Sequence, residues 1–308
     1  MKPKILLCPL VSDDYDRAVR AIRSAYNQKK HNLLFSVHVV INSQDDDFIQ
    51  NIVKYCKFNN IPHSVTESDG TPSTGKNAVF DVFKESDCTH LSQLDGDDLF
   101  YPTFLTQTER HLKKYPTTDV LCTIPVDLLL KNPEENAVLL DTGYYALLWG
   151  IHYLYWETVS KIGRDSVVDG VSTSNYGRFV LYSRKIVDMN FRYDPTFIVG
   201  EDKKLHYDFL FAHQKDEISY WFTSASDMWV CDRMSFGTQK KQSNTIIDGE
   251  YHIVVDPDGG ETTKRLQEYV TNLMIPNRTA PGEIPVDYCP VFLQHHEKVE
   301  FLNEFLIK

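Results

Sequence analysis

Short apolar runs alternate with amphipathic segments through the first hundred residues. Ile5 to Leu10 is an apolar stretch of strand length, as expected of a strand covered on both faces. Asp13 or Asp14 then caps a helix reaching about Asn27, on which Ala18, Ile22 and Ala25 share a face. Leu33 to Ile41 reads as a second strand, with Val37, Val39 and Ile41 alternating against Ser36, His38 and Val40. Asp45 to Lys57 carries Phe48, Ile52 and Tyr55 at helical spacing, and Ile61 to Thr66 is a third short strand. Gly75 to Lys84 opens another helix, and Cys88 to Leu94 is a fourth strand. Strands and helices in strict alternation predict an α/β fold built on a mostly parallel sheet. In such sheets ligands bind beyond the carboxyl ends of the strands.

The pattern continues less regularly. Pro102 to Lys114 predicts a helix with Phe104, Leu105 and Leu112 inward, and Asp119 to Leu130 a strand. Tyr144, Tyr145, Trp149, Tyr153, Tyr155 and Trp156 crowd one stretch, as core, as wall, or with one or two stacking a sugar. Phe179 to Ser183 is strand-like, Arg184 to Met189 a short helix, Glu201 to Ala212 a longer one, and Trp221 to Val230 is β-rich. From Arg233 to Asn244 the chain is polar, and beyond Ile246 it holds turns, a helix over Glu261–Leu273 and a terminal helix near His295–Leu306. The domain reading is 1–245 as one unit, its halves 1–120 and 121–245, followed by an extension over 246–308.

Composition adds boundaries. A chain of 308 residues with 42% hydrophobic and 24% charged positions is an ordinary globular mixture. Its net charge of −11 weighs against broad attachment to nucleic acid or an anionic membrane. No run approaches the ~20 apolar residues that span a bilayer. Asp13 and Asp14 follow the first apolar run too soon for a signal peptide. Cys8, Cys56, Cys88, Cys122, Cys231 and Cys289 show no C-x-x-C pairing, as expected of free thiols in a reducing compartment. The expectation is a soluble cytoplasmic protein.

The chemistry concentrates at Asp95-Gly96-Asp97-Asp98, where the fourth strand ends. Ionised carboxylates this close repel, and burial raises their pKa values. A hard divalent cation relieves that repulsion and can bridge the carboxylates to phosphates. A solvated acidic turn is the alternative.

With this cluster in view, the sequence resembles a GT-A glycosyltransferase, nearest the inverting family 2 of nucleotide-sugar-dependent enzymes, over roughly residues 3–235. The resemblance rests on four features in order. Cys8-Pro9-Leu10-Val11-Ser12 stands in the place of the nucleotide-contacting first loop, and Gly75-Lys76-Asn77-Ala78 is similar to a helix start ending in Arg-Asn. Asp95-Gly96-Asp97-Asp98 follows, then the strand Asn175 to Arg184 and the Glu201-Asp202 pair after Gly200. There are departures. Asn42 occupies the place of the Asp that closes the second strand, and Lys76-Asn77 replaces Arg-Asn, keeping the charge without the planar fork.

What the resemblance implies is a metal-dependent hexosyl- or pentosyltransferase that moves a sugar from a UDP- or GDP-sugar to a hydroxyl acceptor with inversion. Pro9, Leu10, Asn42, Lys76, Asn77, Asp95 and Asp97 would bind the donor. Asp97, with Asp95 or Asp98, would hold Mn²⁺ or Mg²⁺, since an all-oxygen set suits these ions. Asp202 is the base that takes the acceptor proton, with Glu201 second. An acidic helix start, favourable to the helix dipole, is the alternative for that pair. Arg233, Lys240 and Lys241 lie in a segment that resembles a loop closing over the donor, or form a polar linker. The acceptor is a glycan, a lipid-linked saccharide, a protein or a small molecule. A hydroxylated base in DNA is a variant, which Arg164, Arg178, Arg184, Arg192, Lys203 and Lys204 would face. A nucleotidyltransferase is disfavoured by the glycine-free first loop, and a non-catalytic nucleotide-sugar-binding module by the intact carboxylates. No G-x-x-x-x-G-K-[ST] or G-x-S-x-G occurs.

Overall fold

The computed structural model describes residues 2–123, 126–129, 138–139, 178–197, 201–223, 225, 227–232, 245–247, 250–252, 265, 268, 284–290, 292–293, 296–298 and 300–301. The aromatic stretch 144–156, the segment 233–241, Arg164, Asn175 to Gly177 and Gly200 lie outside these, as does most of the helix expected over Glu261–Leu273.

Strand β1 (Lys4–Val11) is followed by helix α1 (Tyr15–Tyr26), whose first turn is capped by Asp14 accepting from Arg17 N. The stretch expected as one strand is two, β2 (Leu34–Val37) and β3 (Val39–Ile41). Both pair in parallel with β1, β2 along its first half and β3 at its end. The break falls at His38, whose N–H donates to Leu7 O, and the register against β1 is the same on either side of it. Helix α2 (Asp46–Phe58) is capped by Asp45, and β4 (His63–Val65) adds beside β3. Helix α3 (Pro72–Glu85) begins three residues before the expected start, because Thr71 caps it and Pro72 suits its first position.

Strand β5 (His90–Asp95) lies on the other side of β1 from β3. It leads through a tight turn to β6 (Leu99–Phe100) and α4 (Phe104–Lys114). The stretch expected as a strand over Asp119–Leu130 also divides. β7 (Val120–Thr123) joins the main sheet, whereas β8 (Val126–Leu129) and β9 (Val138–Leu139) join a smaller one. After these come β10 (Arg178–Ser183), α5 (Arg184–Asp188), α6 (Glu201–Gln214), β11 (Tyr220–Thr223) and β12 (Trp229–Asp232). A hairpin, β13 (Thr245–Ile247) with β14 (Glu250–His252), and a last strand β15 (Val286–Asp287) complete the described elements.

Among the described residues the main sheet has nine strands, in the order β15-β11-β7-β10-β5-β1-β3-β4 with β2 also on β1. Its described pairings are parallel except at β10, which runs against both β5 and β7. Alternate residues of β1 feed opposite layers, which accounts for its unbroken apolar run. Leu6, Cys8 and Leu10 pack with Phe80 and Phe83 of α3 and Leu205 and Phe209 of α6. Ile5 and Leu7 pack with Ala21 and Ala25 of α1 and Phe104 and Leu105 of α4. Each leucine, isoleucine or phenylalanine among them contributes about 1.5–3 kcal/mol when fully buried. Cys8, Cys56, Cys88 and Cys122 are buried free thiols, and Cys289 is a half-buried one. Among the described residues, no helix is long and apolar enough to cross a membrane.

Candidate active site

The sheet changes direction between β1 and β5: the chain runs outward from β1 through β3 to β4, then returns to the opposite flank. In open α/β sheets ligands bind beyond the carboxyl ends of the strands at such a reversal of strand order. Leu10 is the register partner of Asp95 there, and Pro9 of Leu94. Asn42 continues the row, with its N–H donating to Val11 O at 2.9 Å. Pro9, Leu10, Asn42 and Asp95 thus meet at one edge of the sheet, although they come from three separate strand ends.

The acidic turn is held tightly. Asp98 N donates to Asp95 O at 2.9 Å, closing the turn. Gly96 lies so near β1 that a Cβ there would stand 2.7 Å from Leu10 O and 2.9 Å from Val11 Cα. Only glycine lets the backbone approach this closely. Asp98 is 1% exposed and its Oδ2 accepts from Trp229 Nε1 at 2.8 Å, whereas Asp95 and Asp97 are half-buried. Trp229, which sequence reasoning missed, sits on β12 opposite Phe100 of β6. No local signal in the sequence joins residues so far apart.

Asn42 is committed to its neighbours. Its Oδ1 accepts from Thr66 Oγ1 at 2.7 Å and its Nδ2 donates to Thr71 O at 3.2 Å. A Cβ on Gly75 would stand 2.7 Å from that Nδ2, so the glycine lets α3 settle against Asn42. Asn77 is likewise engaged: Nδ2 donates to Tyr193 O at 2.8 Å and Oδ1 accepts from Tyr193 N at 2.9 Å.

Lys76 is the hub. Its Nζ donates to Glu201 Oε1 at 2.7 Å, both side chains being buried, and lies 5.2 Å from the centre of the Tyr193 ring. Burial opposes its charge, but Glu201, Asp95, Tyr193 and Asp202 outweigh it and hold its pKa well above the ordinary lysine value. Burial raises the pKa of Glu201, as does Asp202, while Lys76 pulls it down. Asp202 is half-buried at the start of α6. One turn on, His206 is kept neutral by burial against the pull of Asp202, its pKa lowered to about 3, and its Nδ1 lies 2.7 Å from Tyr220 Oη. Tyr193 and His206 were also missed; their types are common in cores, and only the tertiary contacts single them out.

The donor types suit a hard cation, with Asp95 and Asp97 the carboxylates nearer solvent and one Asp98 oxygen taken by Trp229. Among the described residues no three His, Cys, Asp or Glu side chains gather as a closed cage.

Cations considered for a DNA-facing patch have local partners. Arg184 donates to the carbonyls of Phe83, Lys84, Ser86 and Cys88, Arg192 to Asp81, and Lys204 to Asp208. Arg164 and the side chains of Arg178 and Lys203 lie outside the described residues.

No family model matches the chain, and no curated protein matches it in sequence. Solved structures do match in fold. S. aureus TarS superposes with a TM-score of 0.53 at 15% identity, covering 99% of this chain. The chain spans 43% of the length of that protein. TarS 1–349 in complex with UDP-GlcNAc gives 0.53 at 15% identity, over 99% of this chain and 72% of that one. The mannosyltransferase PcManGT from Pyrobaculum calidifontis, in complex with GDP-Man and Mn²⁺, gives 0.50 at 10%, over 90% and 76%. Together with the mostly parallel sheet and its flanking helices, these likenesses show that the chain has the GT-A fold.

Proposed function

We propose that this protein is a metal-dependent glycosyltransferase that moves a sugar from a nucleotide-diphosphate donor to a hydroxyl acceptor with inversion. The observation that carries this reading is the 2.7 Å bond by which the buried Lys76 ties Glu201, at the start of α6, to α3, with Asp95 and Asp202 near enough to raise the lysine's pKa. Carboxylates that suit a cation–diphosphate unit and carboxylates that suit a proton acceptor thus act on one ammonium. The solved neighbours bound to UDP-GlcNAc and to GDP-Man support a UDP- or GDP-sugar as donor.

In this reading Pro9, Leu10 and Asn42 form the wall against the nucleoside, and Asp95 and Asp97 face the diphosphate. A divalent ion bound there supplies Lewis-acid stabilisation of the leaving diphosphate. Asp202 takes the proton of the acceptor hydroxyl while that oxygen forms the bond to the anomeric carbon. The bond from that carbon to the diphosphate oxygen breaks, and the nucleoside diphosphate leaves with its electron pair. Glu201 is held by Lys76 and does not compete for the proton. Asp98, anchored to Trp229, fixes the turn that carries Asp97. Asn77 ties α3 to the Tyr193 segment, so its contribution to donor binding is to hold Lys76 in place.

The test is a thermal-shift screen of nucleoside diphosphates and nucleotide sugars, each with and without Mn²⁺. A ligand that binds only the folded state raises the melting temperature, by the equivalent of about 2.7 kcal/mol at a hundredfold excess over Kd. A Mn²⁺-dependent rise with a uridine or guanosine series is expected. No rise with any of them would overturn the reading.

A further inference from the structure

Lys76 stands in an unusual position. A lysine ammonium is rarely fully buried without a partner, and here it bonds one carboxylate and lies in the field of two others. Glu201 takes the direct bond at 2.7 Å, Tyr193 presents its ring face at 5.2 Å, and the charges of Asp95 and Asp202 act on the ammonium. Lys76 is on the amino-terminal part of α3 and Glu201 opens α6, 125 residues apart. A carboxylate cluster of this kind would attract a divalent ion even in the absence of substrate. An internal cation in its midst acts against that attraction.

Resting on the reading of Asp95 and Asp97 as cation-facing carboxylates, we propose that Lys76 is a positioning residue that serves as built-in counter-charge of the empty site. Its charge holds the start of α6 against the donor half and lowers the affinity of the free protein for divalent ions. The ion is then taken up with the donor, whose diphosphate brings the negative charge that Lys76 offsets. Unproductive occupancy of the acidic turn by a lone ion is suppressed, and the Glu201-Asp202 end of α6 is held in place before any substrate arrives.

The test is Mn²⁺ binding to the protein alone, followed by loss of the free-ion electron paramagnetic resonance signal. Lys76→Met removes the charge and is expected to tighten Mn²⁺ binding about three- to tenfold, the size of one charge acting on a divalent ion across several ångströms of mixed dielectric. Glu201→Gln leaves the ammonium facing fewer carboxylates and is expected to weaken it. Lys76→Arg, which keeps the charge, should remain within about twofold of the parent. A merely structural lysine would give the same direction of change, a loss, in Lys76→Met and Glu201→Gln alike; that result, or unchanged Mn²⁺ affinity in Lys76→Met, overturns the proposal. Should Lys76→Met fail to fold, Lys76→Met/Glu201→Gln is compared with Glu201→Gln instead, with tightening expected and its absence contradictory. Failure of the transferase reading itself is distinguished by the unsubstituted protein, whose melting temperature would then respond to no nucleotide.

Discussion

Two buried ion clusters in this molecule have opposite stoichiometry. At one end of the sheet a single carboxylate, Asp287 on β15, is fully buried and meets Arg110, His111 and Lys114 of α4. At the mouth of the sheet a single ammonium, Lys76, bonds Glu201 and lies in the field of Asp95 and Asp202. Both join segments more than a hundred residues apart. The first cluster is saturated: every oxygen of Asp287 has a donor, and the strand it anchors is locked to the core. The second keeps an excess of acid, which is of little use to stability and suits a site built to take a cation and a proton. Counting charges within a buried cluster thus separates a clamp from a site.

The largest effect expected from breaking this contrast is at Asp202. Asp202→Asn should lower the rate of transfer by about 10²–10⁴ at saturating donor while leaving donor affinity unchanged, as loss of a general base does. Steady-state and binding measurements on one preparation check this, and undiminished turnover would return the proton to Glu201 or to the substrate. Next come the two clusters as units. Removing one partner of a buried ion pair costs about 3–5 kcal/mol, because the other charge is left uncompensated. Denaturant unfolding should show a loss of this order for Asp287→Asn and for Lys76→Met. Only the latter should change cation binding; altered donor affinity in Asp287→Asn would erase the distinction. Replacing both members of the second pair, Lys76→Met with Glu201→Leu, should recover most of the lost stability, since well-packed apolar replacements of buried pairs are often neutral.

A smaller effect is expected from pH. His206 has its pKa lowered to about 3, so the folded state binds fewer protons than the unfolded chain between that value and the ordinary histidine range. Its share of stability is full above about pH 6.5 and is lost as pH falls, with a slope of up to about 1.4 kcal/mol per pH unit. The His206→Gln protein should show a shallower fall over that window in unfolding measurements. Asp287 acts lower on the scale: burial pushes its pKa up, but Arg110 and His111 hold it below the usual carboxylate value. Its contribution is present above about pH 4 and is lost as pH drops through the depressed value.

The sequence foretold much of the amino-terminal 120 residues, because there the local signals agree with the tertiary outcome. The apolar run Ile5 to Leu10 is covered on both faces, Asp14 and Asp45 cap the helices that follow them, and the acidic turn lies at a strand's carboxyl end. Where expectation and structure differ, pairing decided. Leu33 to Ile41 has one continuous strand pattern, and its pairing with β1 keeps one register but lapses at His38. Asp119 to Leu130 divides because β7 pairs with β10 and β11, while β8 pairs with β12. The site was visible as residue types and not as partners. Lys76 carries a readable positive charge at a helix start, but its bond to Glu201 depends on how two distant helices meet. The bond from Trp229 to Asp98 spans 131 residues and leaves no mark on either neighbourhood. Strand order, which brings Leu10 beside Asp95, is likewise a property of the folded sheet.

The central claim is that the acidic turn binds a nucleotide donor together with a divalent ion. Calorimetric titration of the nucleotide sugar that shifts the melt, in Mn²⁺ and after chelation, into the unsubstituted protein and Asp97→Asn tests it most directly. The account predicts saturable binding that requires Mn²⁺ in the former and at least tenfold weaker binding, about 1.4 kcal/mol, in the latter. Equal affinity in both proteins, or affinity indifferent to chelation, would contradict it.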